Sequence, residues 1–588
     1  MIFGKTLNKY YLKYSLWLLL GVLALILVDL FQLEIPRITG ALIDGLNEND
    51  GFAMSDIITL IMTLAGIAII IVLGRFFWRI GIIGASRRID YDMRNELFAH
   101  TEKLSHRFYS ENKVGGLMAH FINDLEAIRR AIGPGLIMFV DALFLGILVL
   151  IRMIALSPQM TFTVVIPLSV IAIAGYVLGN RLRLSFKDAQ KAFEDLSDFT
   201  QESFSGISVI KAFVKERLEL KEFLKANKNA KEKNIRYVRL SAILEIIVRT
   251  VVSAVFVIII IMGANLIEST RGTDTPFTVG QLVEFASYFG MLVWPMMAVT
   301  MIINVRSQGR ASLERIEKIL NEPIDIVDEN VIQGHSIRGK ITFKNLNFRY
   351  PDADENVLND ISFSIEAGET VGILGRTGSG KTSVVDLLLR IYNVEENTLF
   401  IDDIDIMRLP FKEVREAIGY VPQDGFLFSD TIRNNIAFGI DHRSVSIETI
   451  EDVARLSDVH HNIKDFMQGY DTIIGERGVT LSGGQKQRVS IARALAKNPA
   501  ILILDDSVSA VDTDTEEKIL SNLRRTRQGK TTIMIAHRIS TVKKADKIIL
   551  IDAGRLVAVG NHATLMQTST LYQEMVHRQD LQAEVEGQ

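Results

Sequence analysis

The sequence contains no cysteine among its 588 residues. This absence excludes disulfides, thiol catalysis and thiolate metal sites, and it leaves the redox compartment open. A strong excess of one charge is also missing, because the formal net charge is −4. Binding to nucleic acid requires a clustered basic excess, so no nucleic-acid partner is expected. The first apolar run is too long for a signal-peptide core and lacks a clear cleavage site, which predicts a retained membrane helix.

The composition predicts two kinds of domain. Hydrophobic residues make up 48% of the chain, and the mean hydropathy of +0.23 is high for a purely soluble protein. Charged residues make up 23% and concentrate in the second half. The chain breaks near Asn321-Glu322-Pro323 and Gly334, which suggests a domain boundary. We therefore expect a membrane domain over 1–320, a linker over 321–336 and an α/β domain over 337–588.

Six stretches approach the ~20 apolar residues that a spanning helix requires. They are Leu16–Pro36, Ile57–Ile83, Leu136–Ala155, Thr161–Leu182, Ile243–Ile267 and Leu282–Val305. The long connections 84–134 and 183–240 are rich in Lys and Arg, and patterns within them suggest that the membrane helices continue as amphipathic rods. The positive-inside bias predicts an integral membrane protein with both termini and the second domain in the cytoplasm.

Several ionisable residues fall inside these spans. Glu245 and Arg249 are four residues apart and are expected to pair on one helical face. Asp29, Asp141 and Glu284 have no obvious local partner. The nearby aromatic residues are Phe31, Phe139, Phe285, Phe289 and Trp294. Acids among aromatic side chains suit an amphipathic cation, so this set predicts a substrate site.

The second half contains a phosphate-binding loop in its proper strand-loop-helix context. The predicted strand Thr370–Leu374 precedes Gly375, Arg376, Thr377, Gly378, Ser379, Gly380, Lys381 and Thr382. Glycines let backbone N–H groups surround phosphate oxygens, Lys381 neutralises phosphate charge and the Thr382 hydroxyl reaches Mg²⁺. A later apolar strand, Ile501–Asp505, ends in a carboxylate placed to hold the same ion.

A second candidate anion site is the start of an Arg- and Ala-rich helix at Leu481, Ser482, Gly483, Gly484 and Gln485. These five residues resemble the signature sequence of the ATP-binding-cassette family, which implies contact with ATP held by the opposite subunit. The resemblance extends to Tyr350 as the aromatic that stacks on adenine and to Gln423 as the glutamine that touches Mg²⁺. Ser509–Asp512 resembles the loop that communicates across the dimer, and His537 resembles the switch histidine. ATP and Mg²⁺ are thus the implied cofactors.

The order of membrane domain and cassette on one chain resembles the exporter branch of this family. Two segments resemble its coupling helices: Phe108–Glu111 followed by Gly116-Leu117, and Glu202–Ile207 followed by Ile210–Phe213. The resemblance implies an all-α six-helix transmembrane domain and an α/β P-loop ATPase domain. It also implies transport driven by ATP across a bacterial cell membrane.

One position departs from the exporter pattern. Asp506 follows Asp505, where the pattern has a catalytic Glu. Shortening this base by one methylene predicts good ATP binding and slow hydrolysis, because ~1 Å of misplacement can cost about 10²-fold in rate. The sequence thus resembles the degenerate-site subunit of heterodimeric multidrug exporters, with a different partner chain and an amphipathic substrate. The alternatives are a lipid or peptide exporter, an active homodimer, and a cassette-gated channel or regulator.

Overall fold

The computed structural model describes residues 4–47, 53–273, 275–440, 445–475, 481–509 and 511–586. The chain forms two compact units, one of Met1–Ala99 and Gly115–Asn321 and the other of His100–Val114 and Glu322–Gln588. Residues 100–114 lie within the predicted membrane domain 1–320, yet they belong to the second unit. Their side chains explain this, since Ser105 and Arg107 both bind Asp325.

The first unit is helical throughout its regular structure. Its α-helices are α1 (Lys5–Lys13), α2 (Ser15–Asn47), α3 (Met54–Trp78), α4 (Gly84–Thr101), α5 (His106–Glu111, grouped with the second unit), α6 (Val114–Ala119), α7 (Leu125–Ile132), α8 (Pro134–Val140), α9 (Gly146–Leu156), α10 (Pro158–Ser205), α11 (Ile207–Ala212), α12 (Glu216–Thr270) and α13 (Val279–Leu320). Short π-helical segments at Arg79–Ile83, His120–Asp124 and Asp141–Leu145 join consecutive helices. The predicted α class of this half is confirmed.

Five helical segments within the described residues are long and apolar enough to cross a membrane. They are Ser15–Leu46, Met54–Thr101, Val114–Leu156, Glu216–Thr270 and Val279–Leu320. These segments contain five of the six predicted spans. The remaining predicted span, Thr161–Leu182, lies within α10.

Close backbone approach and buried polar contacts hold these helices together. A Cβ atom on Gly21 would lie 2.7 Å from the Ile82 side chain, so the small residue lets α2 approach the π-helical segment that follows α3. At the start of α13, Asp44 accepts hydrogen bonds from the Thr278 hydroxyl at 2.6 Å and the Gly280 N–H at 2.7 Å. Such contacts replace the water that the helix start would otherwise need.

The second unit combines two sheets with surrounding helices. Its strands are β1 (Ile341–Phe348), β2 (Leu358–Ile365), β3 (Thr370–Leu374), β4 (Leu399–Ile401), β5 (Ile404–Asp405), β6 (Ile418–Val421), β7 (Ile501–Asp505), β8 (Thr531–Ala536), β9 (Lys547–Asp552) and β10 (Arg555–Gly560). Its helices are α14 (Lys381–Leu388), α15 (Phe411–Ala417), α16 (Ile432–Ala437), α17 (Ile447–Leu456), α18 (His460–Lys464), α19 (Gly483–Ala496), α20 (Thr513–Thr526), α21 (Ile539–Val542), α22 (His562–Thr568) and α23 (Thr570–Glu586).

Strand order explains why this unit can build a site. One sheet has the order β2-β1-β4-β5, and the other has the order β10-β9-β3-β8-β7-β6. In the second sheet β9, β3, β8, β7 and β6 run parallel, and β10 is antiparallel to β9. The strands β7 and β8 are fully buried, as expected for a parallel sheet covered on both faces. The predicted α/β class is confirmed.

Candidate functional site

The candidate site lies where four parallel strands end. The phosphate loop follows β3, His537 follows β8, Asp505 ends β7 and Gln423 follows β6. Because the carboxyl ends of neighbouring parallel strands share one edge of the sheet, these residues converge there. They line a cavity of about 270 Å³ whose walls are Val357, Thr377, Gly378, Ser379, Gly380, Lys381, Thr382, Ser383, Gln423, Asp505, Asp506, Ile535 and His537.

The phosphate loop has the backbone shape that its glycines allow. Gly378 and Gly380 adopt φ angles of +80° and +93°, which side chains other than glycine rarely accept. Ser379 is 3% exposed, and its hydroxyl has no hydrogen-bond partner among the described residues. An unsatisfied buried hydroxyl in such a loop fits a phosphate oxygen as the missing partner.

Lys381 is the cation of this cavity. Its Nζ donates to the carbonyl oxygens of Gly375 at 3.0 Å and Arg376 at 2.9 Å. The pKa of Lys381 is lowered, because the effect of burial exceeds the raising effect of the negative charges of Asp505 and Asp506. The ammonium therefore shares the cavity with both carboxylates and is available to an anion that displaces the two carbonyls.

The oxygen atoms around Asp505 fit a hard cation. Asp505 is 2% exposed. The pKa of Asp505 is raised, mainly by burial and also by the charge of Asp506, although a hydrogen bond from Thr382 lowers it. The Tyr420 hydroxyl lies 3.5 Å from Asp505 Oδ2. A carboxylate, a hydroxyl and the nearby Gln423 amide are the donors that Mg²⁺ accepts beside phosphate and water.

Asp506 lies at the strand end in an unusual backbone conformation. Its φ angle is +45°, and its N–H donates to the Ile535 carbonyl at 2.9 Å. The Ser509 hydroxyl donates to the Asp506 carbonyl at 2.8 Å. These bonds hold the backbone, so the position of the carboxylate in the cavity depends on the length of its side chain.

Tyr350 does not line the cavity. Its hydroxyl lies 2.8 Å from the Ser383 hydroxyl and 3.3 Å from Asp386 Oδ2. Phe348 meets its ring edge-on with centroids 4.9 Å apart. Burial raises the pKa of Tyr350 to about 12, so the hydroxyl keeps its proton.

The signature residues form a separate feature at the start of α19. The Ser482 hydroxyl accepts from the Gln485 N–H at 3.2 Å, and the Gln485 side chain accepts from the Ser482 N–H at 2.9 Å. This reciprocal cap occupies both side chains. A Cβ atom added to Gly483 would meet none of the described residues within 4 Å, so this turn of backbone is open. The four residues from Ser482 to Gln485 lie outside the cavity wall. Of the loop Ser509–Asp512, position 510 lies outside the described residues.

The fold brings to the site several residues that the sequence did not predict there. Ser383, Val357 and Ile535 line the cavity, and Tyr420 contacts Asp505. Ser383 could have been found, since it directly follows the phosphate loop. Ile535 lies two residues before His537 and Tyr420 lies three residues before Gln423, whereas Val357 lies between Tyr350 and the phosphate loop.

The acids of the membrane helices divide into two groups. Asp29, which is 3% exposed, interacts electrostatically with Asp141, and each keeps one buried oxygen without a hydrogen-bond partner among the described residues. Glu284 instead interacts with Tyr288 and lies near Arg152, which itself binds Glu34 at 2.6 Å. The expectation that Glu284 has no local partner is therefore wrong, because Tyr288 lies four residues farther along the same helix.

The membrane helices contain a local ion pair and two fully buried phenylalanines. The predicted pair of Glu245 and Arg249 is present at 2.8 Å. Phe285 and Phe289 are fully buried in the helical core, so they are packing residues in this structure and not part of an open substrate surface.

Long apolar helices joined to this strand-end site define a membrane-spanning P-loop ATPase. Residues 18–296 match the family model for the ABC transporter transmembrane region, and residues 358–509 match the model for ABC transporter. The chain therefore belongs to the ABC transporter family, in which ATP binding and hydrolysis are coupled to transport.

Relatives and a solved structure agree over nearly the whole chain. The chain is 35% identical to the "Probable multidrug resistance ABC transporter ATP-binding/permease protein YheI" of Bacillus subtilis (strain 168), over 99% of this chain and 98% of that protein. It is 38% identical to the "Multidrug resistance-like ATP-binding protein MdlA" of Escherichia coli (strain K12), over 96% and 94%. A bacterial Atm1-family ABC exporter with ATP bound has a TM-score of 0.75 and 27% identity, with 98% and 99% coverage.

Proposed function

We propose that this chain exports apolar or amphipathic compounds, often cationic, as one subunit of a heterodimer. The proposal of a heterodimer rests on Asp506, which occupies the position where the exporter pattern has the longer side chain of a catalytic Glu. A homodimer would contain this shortened base in both ATP sites, whereas a heterodimer contains it in one. The partner then supplies the missing Glu and the faster hydrolytic site.

In this proposal the two ends of the cassette serve different ATP sites. Lys381, Thr382 and the other loop residues hold the phosphates of one ATP, with Tyr350 stacking on its adenine and His537 contacting its γ-phosphate. Ser482–Gln485 complete the partner's site. The location of Ser482–Gln485 outside the cavity wall supports this division. The site built on Lys381 then retains ATP and acts mainly in binding and timing.

The proposed metal is Mg²⁺ held by Thr382, Gln423 and Asp505. The set of oxygen donors supports this assignment. The ion neutralises phosphate charge when bound, and Asp506 orients the attacking water. The shortened reach of Asp506 makes that orientation poor.

An exposed apolar helix is evidence that a second subunit binds this chain. Helix α11 leaves Ile207, Val209 and the adjoining Phe213 exposed at 43%, 58% and 70%. It lies in the Lys- and Arg-rich connection between α10 and α12, which we place in the cytoplasm with both termini and the cassette. Apolar side chains in water favour a protein partner, and we assign this surface to the other half-transporter.

The proposed substrate follows from Asp29 and Asp141. Each of these carboxylates has one buried oxygen without a hydrogen-bond partner among the described residues, which in a membrane region favours a cation as the missing partner. Trp294 hydrogen-bonds Asp141 and is 46% exposed, so an aromatic face is available beside the acids. The names of the bacterial multidrug relatives are consistent with such a substrate.

The test begins with purification of the tagged chain from its native membrane and identification of the protein that accompanies it. ATPase activity is then measured for this chain alone, for the pair, and for pairs carrying either Asp506→Asn or the partner's Glu→Gln. We expect near-complete loss with the partner's change and a modest loss with Asp506→Asn. Vigorous ATPase of this chain alone, abolished by Asp506→Asn, would contradict the asymmetric proposal.

A transport measurement separates a pump from a gate. Inside-out vesicles carrying the pair are given a cationic dye and ATP, with Lys381→Ala as the matched control. Accumulation against the dye gradient supports an exporter. Equilibration without accumulation would indicate a gated channel.

A further inference from the structure

A chain of side-chain contacts runs from α5 to the helix that follows the phosphate loop. His106 begins α5, and its Nδ1 lies 3.2 Å from the Tyr392 hydroxyl. The Tyr392 ring meets the Tyr350 ring edge-on, with centroids 5.2 Å apart and an interplanar angle of 82°. The Tyr350 hydroxyl lies 2.8 Å from the hydroxyl of Ser383 in the first turn of α14. These four side chains form one continuous path.

The α5 end of this path is firmly held. Ser105, just before α5, donates to Asp325 at 2.9 Å, and Arg107 lies 3.3 Å from the same carboxylate. Phe108 is only 6% exposed. These contacts make α5 a rigid support, so a displacement of α5 carries His106 with it.

The middle of the path has little freedom. Phe348 packs against both tyrosine rings, with centroids 4.9 Å from Tyr350 and 5.7 Å from Tyr392. Edge-to-face aromatic contacts depend on relative orientation. Rotation of Tyr392 would therefore remove the edge that supports Tyr350.

We propose that His106 is a positioning residue for ATP, holding Tyr392 so that Tyr350 keeps the orientation needed at the adenine. This inference rests on the proposed role of Tyr350 in adenine stacking. It adds a direct dependence of base recognition on α5, which precedes the cassette in the chain by more than 200 residues. Among the described residues His106 hydrogen-bonds Tyr392 and not the phosphate loop, so we expect its main effect at the adenine end of the nucleotide.

The experiment compares two probes on the purified full-length chain by calorimetry. Mg²⁺-ATP contains the adenine, and Mg²⁺-tripolyphosphate lacks it. Loss of one hydrogen bond predicts that His106→Ala and Tyr392→Phe each weaken ATP binding about 2- to 10-fold. Tripolyphosphate binding should stay unchanged, whereas a general loss of cassette structure would weaken both probes.

Matched variants test the path itself. His106→Gln retains a side-chain partner for the Tyr392 hydroxyl and should restore ATP binding. Tyr109→Phe removes another phenol from α5, one that donates to the Thr101 carbonyl, and should have no effect. The double variant of His106→Ala with Tyr392→Phe should bind ATP no more weakly than either single variant, because both remove the same bond.

Tyr350→Ala separates failure of this inference from failure of the underlying assignment. If Tyr350→Ala selectively weakens ATP binding but His106→Ala does not, the positioning role is wrong and adenine stacking stands. If Tyr350→Ala leaves the preference for ATP over tripolyphosphate unchanged, both are wrong. Equal weakening of the two probes by His106→Ala would also overturn the positioning role.

Discussion

Lengthening Asp506 to Glu should increase ATP hydrolysis by this chain. The added methylene extends the carboxylate farther into the cavity shared with Lys381 and His537. Because ~1 Å of misplacement can cost about 10²-fold in rate, correcting it can return up to about 10²-fold. At 1.36 kcal/mol per factor of ten, that gain corresponds to about 2.7 kcal/mol.

The backbone at Asp506 limits this gain. Its φ angle is +45°, a conformation that Asp tolerates better than Glu. A left-handed conformation costs roughly 1–2 kcal/mol for ordinary residues. Relaxation of that strain can shift the carboxylate and cancel up to about 2 kcal/mol of the gain of about 2.7 kcal/mol. About 0.7 kcal/mol of barrier lowering then remains, which corresponds to about 3-fold in rate. The expected increase for Asp506→Glu therefore lies between about 3-fold and about 10²-fold.

The assay measures phosphate release by this chain paired with a partner that carries the Glu→Gln change, so that hydrolysis comes from the site that contains Asp506. Asp506→Asn keeps the side-chain length without the base, and Lys381→Ala removes nucleotide binding, so both serve as controls. ATP affinity is measured in parallel to show that Asp506→Glu acts on hydrolysis. An unchanged rate with Glu, together with a large loss with Asn, would show that Asp506 is already a competent base.

Three further predictions follow from other parts of the structure. Lys381→Ala should abolish nucleotide photolabelling at ATP concentrations that label the native chain, and undiminished labelling would contradict the site assignment. Neutralising Asp29, Asp141 and Glu284 together should raise cellular accumulation of cationic dyes, with most of the effect retained in the Asp29/Asp141 double variant; unchanged efflux of every dye would contradict the charge argument. Burial raises the pKa of the Asp386 carboxyl to about 6. Between about pH 4 and pH 6 the carboxyl is therefore ionised in the unfolded chain but protonated in the folded chain. The free energy of unfolding consequently falls as the pH rises through this range. Asp386→Asn should therefore be more stable than the native chain at pH 7, by up to about 3 kcal/mol, and thermal unfolding that shows the same difference at pH 4 would refute this.

Local motifs accounted for much of the candidate nucleotide site. The phosphate loop and Asp505 could be predicted because a strand, a loop and a helix are adjacent in sequence, and their chemistry depends on residue type. The cap formed by Ser482 and Gln485 follows from a spacing of three residues. Tyr350 was assigned from resemblance alone, and its actual contacts with Ser383 and Asp386 needed the fold.

The membrane helices were predictable in approximate position but not in length, and five of the six predicted spans fall in segments long and apolar enough to cross a membrane. The fifth predicted span, Ile243–Ile267, lies inside α12, which runs from Glu216 to Thr270. Hydropathy marks the part of a helix that lipid can accept, while backbone hydrogen bonding continues into water wherever packing supports it. The ends of such helices are therefore invisible to an apolar pattern.

The sequence by itself determined the class of each half, the residues that chemistry requires at a phosphate site and the departure at Asp506. These depend on hydrophobicity, on local spacing and on side-chain type. Only the tertiary structure decided that His106 meets Tyr392 across 286 positions, that Asp29 lies near Asp141, and that Phe285 and Phe289 are core residues. Contacts between distant positions depend on how whole helices and sheets pack, because each side chain's neighbours are set by all the elements around it.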